Sequence, residues 1–219
     1  MLEVLIATSL FVIVMVFTLG TVGQNVSFQS KLRTEKEVSV ESRKFVDLIS
    51  RDIKESNVSA KIDIGSGTAE FKDGLAMLDC NTGCILKYNF VPSTPDFNDR
   101  SDRNANVLIV AKNEKYKIYS ADYNKKIVYF AEIPFLSLRD NTLTLSEIIK
   151  TSKEENRISS KRAETLLLFA GFCPEKSSSV KIKPYVQLQV ESKTVNYDTL
   201  QVRNRAQSII RTLITSRKY

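Results

Sequence analysis

Residues 4–22, VLIATSLFVIVMVFTLGTV, decide how the rest of the chain is read. The run carries no charge, and at about 1.5 Å per helical residue it reaches roughly 28 Å, close to the thickness of a bilayer core. A cleaved secretory signal would show a basic start, a shorter apolar stretch and a small-residue cleavage site; here the apolar run begins at once and passes into a helical pattern, so a retained anchor is expected. Working outward, Phe28, Leu32, Val38, Phe45, Ile49 and Ile53 recur near multiples of the helical repeat. Lys31, Arg33, Glu35, Lys36, Glu37, Glu41, Arg43, Lys44, Asp47, Arg51 and Asp52 are expected to fill the solvent faces of the same helix. No proline occurs before Pro92, so one helix is expected to run from bilayer to solvent. Gly20 and Gly23 are the only breakers near the membrane exit; a bend falls there, or they are simply small residues.

From about Ala60 the pattern changes to short alternating runs separated by Gly, Asn, Asp and Ser, the signal of strands and turns. Strands are expected near Glu70–Leu78, Ile85–Phe90, Val107–Ala111, Tyr116–Ala121, Lys126–Phe130, Thr165–Phe172, Ile182–Val190 and Ser208–Thr215. The segment from Tyr116 to Phe130 reads as a hairpin turning at Asp122 to Lys125, and Tyr185–Val190 alternates as a half-buried strand does. The fold class is therefore α+β: a long N-terminal helix, half transmembrane and half amphipathic, packed on one antiparallel β-sheet. The divisions are residues 1–23 as the span, 24–57 as its amphipathic continuation and 58–219 as an exported sheet domain.

The chain has 219 residues, 42% of them hydrophobic and 26% charged, enough for one core beyond the helix. Its formal charge of +7 is spread along the sequence and interleaved with Asp and Glu, so nucleic-acid binding is not favoured. There is no histidine, no nucleophile motif, no glycine-rich phosphate loop and no metal-ligand spacing, so no enzyme, cofactor or metal is expected. Cys80 and Cys84 bracket a turn-prone stretch where a disulfide would close a tight loop between two strands in an oxidising exterior. Cys173 is either a buried thiol or a partner of one of the other two, and a zinc site lacks ligands. The oxygen-rich loop from Asp96 to Asn104 lacks the spacing of a calcium-binding EF-hand, and Arg100 and Arg103 dilute its charge; a solvated loop is expected. Lys150 to Arg162 reads as an exposed helix end or loop.

Glu3 is the informative oddity, because an ionisable group heading an apolar span is costly in lipid unless it has a partner or sits at the interface. The string MLEVLIATSLF resembles the start of mature type IV pilins and type II secretion pseudopilins, in which a leader ending in Gly precedes Phe-Thr-Leu-Ile-Glu-Val-Leu-Ile-Ala or a close variant. Residues 2–7 match that prepilin-type methylation motif nearly letter for letter. The resemblance implies a membrane-anchored pilin-like subunit in the cytoplasmic membrane, its C-terminal domain outside, that passes into a pilus or pseudopilus through helix packing. It implies further that Glu3 neutralises the N-terminal amine of a neighbouring subunit, and that the partners are other pilins, a prepilin peptidase, an assembly platform protein and its ATPase. The family's leader and opening mature residues do not precede Glu3; Met1 is expected to be an internal methionine, with in-frame upstream codons for a short basic leader, a Gly and an aromatic residue. The segment from Gln207 to Tyr219 resembles the C-terminal strand of minor pilins, and the whole is more similar to J-type pseudopilins and minor pilins than to small major pilins. The size of the outer domain favours an initiating or tip subunit. The competing expectation is a stationary single-span protein whose exported domain binds a ligand or surface.

Overall fold

The computed structural model describes residues 2–63, 65, 67–71, 74–80, 84–86, 105–172, 185–197, 199–200 and 205–215. Helix α1 is continuous from Leu2 to Lys54, so the expected single helix is present and ends three residues earlier than its expected limit at 57. The terminus is set by a change of partners. Ser56 N–H turns back to Ile53 O, while Asn57 N–H leaves the helix for Ala111 O; the Asn57 side chain also donates Nδ2 to Asn113 Oδ1 and accepts the Asn113 backbone N–H on its Oδ1.

Strands β1 (Ala60–Asp63), β2 (Thr68–Phe71), β3 (Leu75–Asp79), β4 (Ile85–Leu86), β5 (Val107–Lys112), β6 (Lys115–Asp122) and β7 (Ile127–Pro134) follow. After them come β8 (Thr142–Thr144), the short helix α2 (Leu145–Lys150), β9 (Ala163–Phe172), β10 (Tyr185–Thr194) and β11 (Gln207–Thr215). They form three sheets, ordered β2-β1-β8, β4-β3-β5-β6-β7 and β11-β10-β9, in place of the single sheet expected. Nor is every pair antiparallel, since β1 and β8 run parallel. The run expected as one strand over Glu70–Leu78 is two strands separated at Gly74. Gly74 sits at φ +72°, and an added Cβ would lie 2.4 Å from Val58 O, so the bend there requires glycine. The hairpin of β6 and β7 is as expected, its turn held by Asp122, whose carboxylate accepts from the N–H groups of Asn124 and Lys125.

The five-stranded sheet is the central layer, and alternation along β5 assigns its faces. Leu108 and Val110 join one core with Met77, Tyr119 and Val128 of the same sheet, Leu167, Phe169, Leu188 and Val190 of the β9–β11 sheet, and Phe45, Ile49 and Ile53 of α1. Val107, Ile109 and Ala111 face the other way, into a second core with Ile62, Phe71, Leu143 and Ile148. Burial on both faces explains why residues 107–111 read as an unbroken apolar run. Tyr116 stitches the second core to the small sheet. Its hydroxyl accepts from Lys61 N–H at 2.8 Å and donates to Asn141 O at 2.8 Å.

The apolar stripe of α1 divides sharply. Val38, Phe45, Ile49 and Ile53 are buried, whereas Phe28 and Leu32, expected on the same packed stripe, are 60% and 48% exposed. Glu41 and Asp52, expected in solvent, are buried. The domain grips only the last part of α1, and the preceding 36 residues project from it by about 54 Å.

Candidate functional site: the projecting segment of the first helix

Every side chain described from Glu3 to Arg33 is exposed, including Val4, Leu5, Ile6, Leu10, Phe11 and Phe17 at half to two-thirds or more. One helix of the chain is thus long and apolar enough to cross a membrane, and none of its most apolar window is buried by the sheet domain. Its few hydroxyls are satisfied within the helix. Thr8 Oγ1 donates to Val4 O at 2.9 Å, Ser9 Oγ to Ile6 O at 2.9 Å and Thr21 Oγ1 to Thr18 O at 2.9 Å, and Thr18 Oγ1 donates to Val14 O. A helix with its backbone bonded internally and its hydroxyls turned back on carbonyls presents a surface suited to hydrocarbon or to other helices. Glu3 lies in the first turn of α1, at the positive end of the helix dipole, exposed and without an ion pair among the described residues. Beyond the apolar run the surface turns charged, with i,i+4 pairs Lys31–Glu35 at 3.8 Å and Arg33–Glu37 at 3.3 Å.

Two polar anchors hold the gripped part of the helix. Near its start, Glu41 Oε1 accepts Ser160 N–H at 2.7 Å, and Lys44 Nζ donates to Ile158 O at 3.1 Å. The stretch from Lys150 to Arg162 is therefore partly exposed, as expected, and also a strap that seats α1 through Ile158 and Ser160. Near the helix end, the fully buried Asp52 receives Lys117 Nζ on both carboxylate oxygens at 3.0 Å, Lys112 Nζ at 3.3 Å and the Tyr119 hydroxyl. Burial alone would raise the Asp52 carboxyl. The bonds from Tyr119 and Lys117, the Lys117 charge and the Lys112 bond outweigh it and hold the group below its usual range. Burial first, and then the bond to Asp52, push the Tyr119 phenol far up, so it remains a donor. Lys112 is raised chiefly by its bond to Glu55. The cluster ties the helix to the sheet, with the Asp52 carboxylate facing both lysines and the Tyr119 hydroxyl.

Cys80 and Cys84 are joined by a disulfide with Cα atoms 3.7 Å apart, linking the end of β3 to the start of β4. Beside it opens a cleft of about 250 Å³ lined by Asn106, Ser120, Asp122, Ile149 and Ser152 as well as Cys80. Its polar atoms are turned on the chain itself. Asn106 accepts Cys80 N–H at 2.7 Å and donates to Ala121 O at 2.9 Å, and the hydroxyls of Ser120 and Ser152 lie 3.2 Å apart. No group of three or more Cys, Asp or Glu able to hold a metal occurs among the described residues. Cys173 and the loop from Asp96 to Asn104 lie outside the described residues. Sequence reasoning missed the buried carboxylates, although their spacing carried a signal. Glu41 stands four residues before Phe45, and Asp52 seven after it and three after Ile49, which puts both on the packed stripe. Comparison of the chain with family models, with curated proteins and with solved structures returns no match.

Proposed function

We propose that this chain is a minor pilin or pseudopilin, a structural or initiating subunit of a type IV pilus or type II secretion pseudopilus, which assembles through its N-terminal helix. The observation that carries the reading is a carboxylate, Glu3, heading a projecting apolar helix that its own domain leaves entirely uncovered. Such a helix needs lipid or other helices to cover it, and a carboxylate beside the run needs a cation once it leaves the aqueous interface. The amine that begins a neighbouring subunit supplies that cation in a filament, and a low-dielectric setting makes the pairing strong and sets its register. The helix serves first as a single-pass anchor in the cytoplasmic membrane with the sheet domain outside. It later serves as the filament core, with a prepilin peptidase and an assembly platform as the partners that process and extract it.

The test is Glu3→Ala and Glu3→Val in cells that build the filament. A filament subunit keeps its membrane level and disappears from the sheared filament fraction. A stationary single-span protein, the competing reading, keeps its membrane level and its activity in both variants. Unchanged incorporation of either variant counts against the proposal.

A further inference from the structure

Asparagine followed two residues later by serine or threonine is the acceptor for transfer of an oligosaccharide to the asparagine amide, and it works on surface turns of exported domains. The chain has two such triplets, Asn25-Val26-Ser27 and Asn57-Val58-Ser59, and they stand in opposite settings. Asn25 lies inside the continuous helix α1, three residues past Val22, the end of the uncharged run. On a helix, residues i and i+2 point about 200° apart, so the Asn25 amide and the Ser27 hydroxyl cannot meet one ligand. Asn57 lies where the chain has left α1, which ends at Lys54, and has not yet entered β1 at Ala60. Freed from helical geometry, its amide and the Ser59 hydroxyl are no longer forced apart.

The Asn57 side chain is exposed, and its backbone N–H is tied to Ala111 O at 3.3 Å. Its Oδ1 accepts Asn113 N–H at 3.2 Å and its Nδ2 donates to Asn113 Oδ1 at 3.3 Å, both long for bonds of this kind. Nδ2 carries two hydrogens, and that contact uses one. We propose that Asn57 is an N-glycosylation site whose donor is an oligosaccharide carried on a polyprenyl diphosphate lipid. In the transfer, the bond between sugar C1 and the diphosphate oxygen breaks, Nδ2 bonds to C1, and one Nδ2 proton leaves with the lipid diphosphate; no oxidant or reductant takes part. An amide nitrogen, its lone pair delocalised into the carbonyl, is a weak nucleophile, so the activated diphosphate supplies the drive. The inference rests on the sheet domain lying outside the membrane, as proposed above, and is independent of filament assembly. The glycan stands at the end of α1 farthest from the uncharged run, beside the turn at Asn113 and Glu114, where it adds a bulky, hydrated layer.

The test uses the full chain purified from the cells that make it. Trypsin, cutting after Lys54 and Lys61, releases the peptide Glu55–Lys61 for mass spectrometry. That peptide is expected to carry an increment of whole sugar residues, placed on Asn57 by fragmentation, while the peptide bearing Asn25 keeps its unmodified mass. Asn57→Gln and Ser59→Ala both lose the increment and migrate faster than the parent on a denaturing gel. Ser59→Thr, which keeps a hydroxyl at that position, retains it. Ser59→Ala leaves both partners of the Asn57–Asn113 contacts in place, so its loss is not a consequence of breaking them. An unmodified Glu55–Lys61 peptide in the parent, an increment that survives in Ser59→Ala, or a sugar on Asn25 in place of Asn57 overturns the proposal. Protease added to spheroplasts separates that failure from a failure of the topology. A chain that is cut from outside and unmodified refutes the glycan alone, whereas one that is protected and unmodified refutes the placement of the domain as well.

Discussion

Replacing Asp52 by Asn tests whether the buried cluster holds the helix on the sheet. The substitution keeps the shape and removes the charge that Lys117, Lys112 and Tyr119 all address. Removing one partner of a buried ion pair costs about 3–5 kcal/mol when the other is left bare. Here the two lysines are 14% and 16% exposed and keep second carboxylates, Glu55 for Lys112 and Glu132 for Lys117. The loss therefore falls to about 2–3 kcal/mol, roughly a 30- to 140-fold shift in the folding equilibrium at about 1.4 kcal/mol per tenfold. The assay is urea unfolding of the full chain in micelles. It follows tyrosine fluorescence, because the chain has no tryptophan and its 8 tyrosines all fall after residue 87. The pH dependence supplies a second readout. The Asp52 carboxyl is held below its unfolded value, so its contribution is complete above about pH 5 and is lost as pH falls through the folded value. The gap between parent and variant should be constant from about pH 5 to 8 and shrink below about pH 4. An unchanged midpoint at pH 7, or a gap that persists undiminished at pH 2, refutes the reasoning.

Gly74→Ala should destabilise the domain by at least about 3 kcal/mol by the same assay, since the new methyl would sit 2.4 Å from Val58 O at a backbone angle of φ +72°. A loss below about 1 kcal/mol would mean that the bend between β2 and β3 relaxes. Glu114→Gly should do the reverse. Asn113 and Glu114 form a two-residue turn at φ 50° and 58° between β5 and β6, and glycine at the second position removes left-handed strain for a gain of about 0.5–1 kcal/mol in thermal or urea unfolding.

The features legible in the sequence were those written into neighbouring residues. An uncharged run from Val4 to Val22 specifies its helix without help from the rest of the chain, and the β6–β7 hairpin is fixed by a turn that Asp122 closes locally. The features that escaped depend on partners far away. β1 pairs in parallel with β8 some eighty residues later, and nothing in the four residues Ala60–Asp63 announces it. Phe28 and Leu32 continue the apolar rhythm of α1 past the point where the sheets end, so periodicity assigned them to a core that does not reach them. Asp52 was placed in solvent by its charge, although its place on the helix stripe and the two lysines on the facing sheet surface put it in the core. Of the candidate site, the apolar run and its leading carboxylate were readable from the outset. The extent of the exposed helix was not, because it is defined by where the domain stops.

That stopping point gives the molecule its division of labour. Phe45, Ile49 and Ile53 each contribute about 1.5–3 kcal/mol of burial, but an apolar stripe alone tolerates sliding along a sheet. Glu41 and Asp52, eleven positions apart at about 1.5 Å each, sit along that stripe some 16 Å apart, with bonds that a slide of one turn would break. Any slip would leave a buried carboxylate without its donors, which costs more than the apolar contacts resist, so the polar pair fixes the register that the apolar residues only make favourable. Before Val38 the described tie to the sheet domain is an exposed ion pair, Glu37 with Arg162 at 3.6 Å, which holds far less firmly than a buried carboxylate. The helix is consequently two objects on one backbone, a clamped half whose position is set by the domain and a projecting half whose surroundings are set by whatever covers it. Whatever surrounds the second half leaves the bonds that clamp the first half in place, because none of them involves the projecting residues.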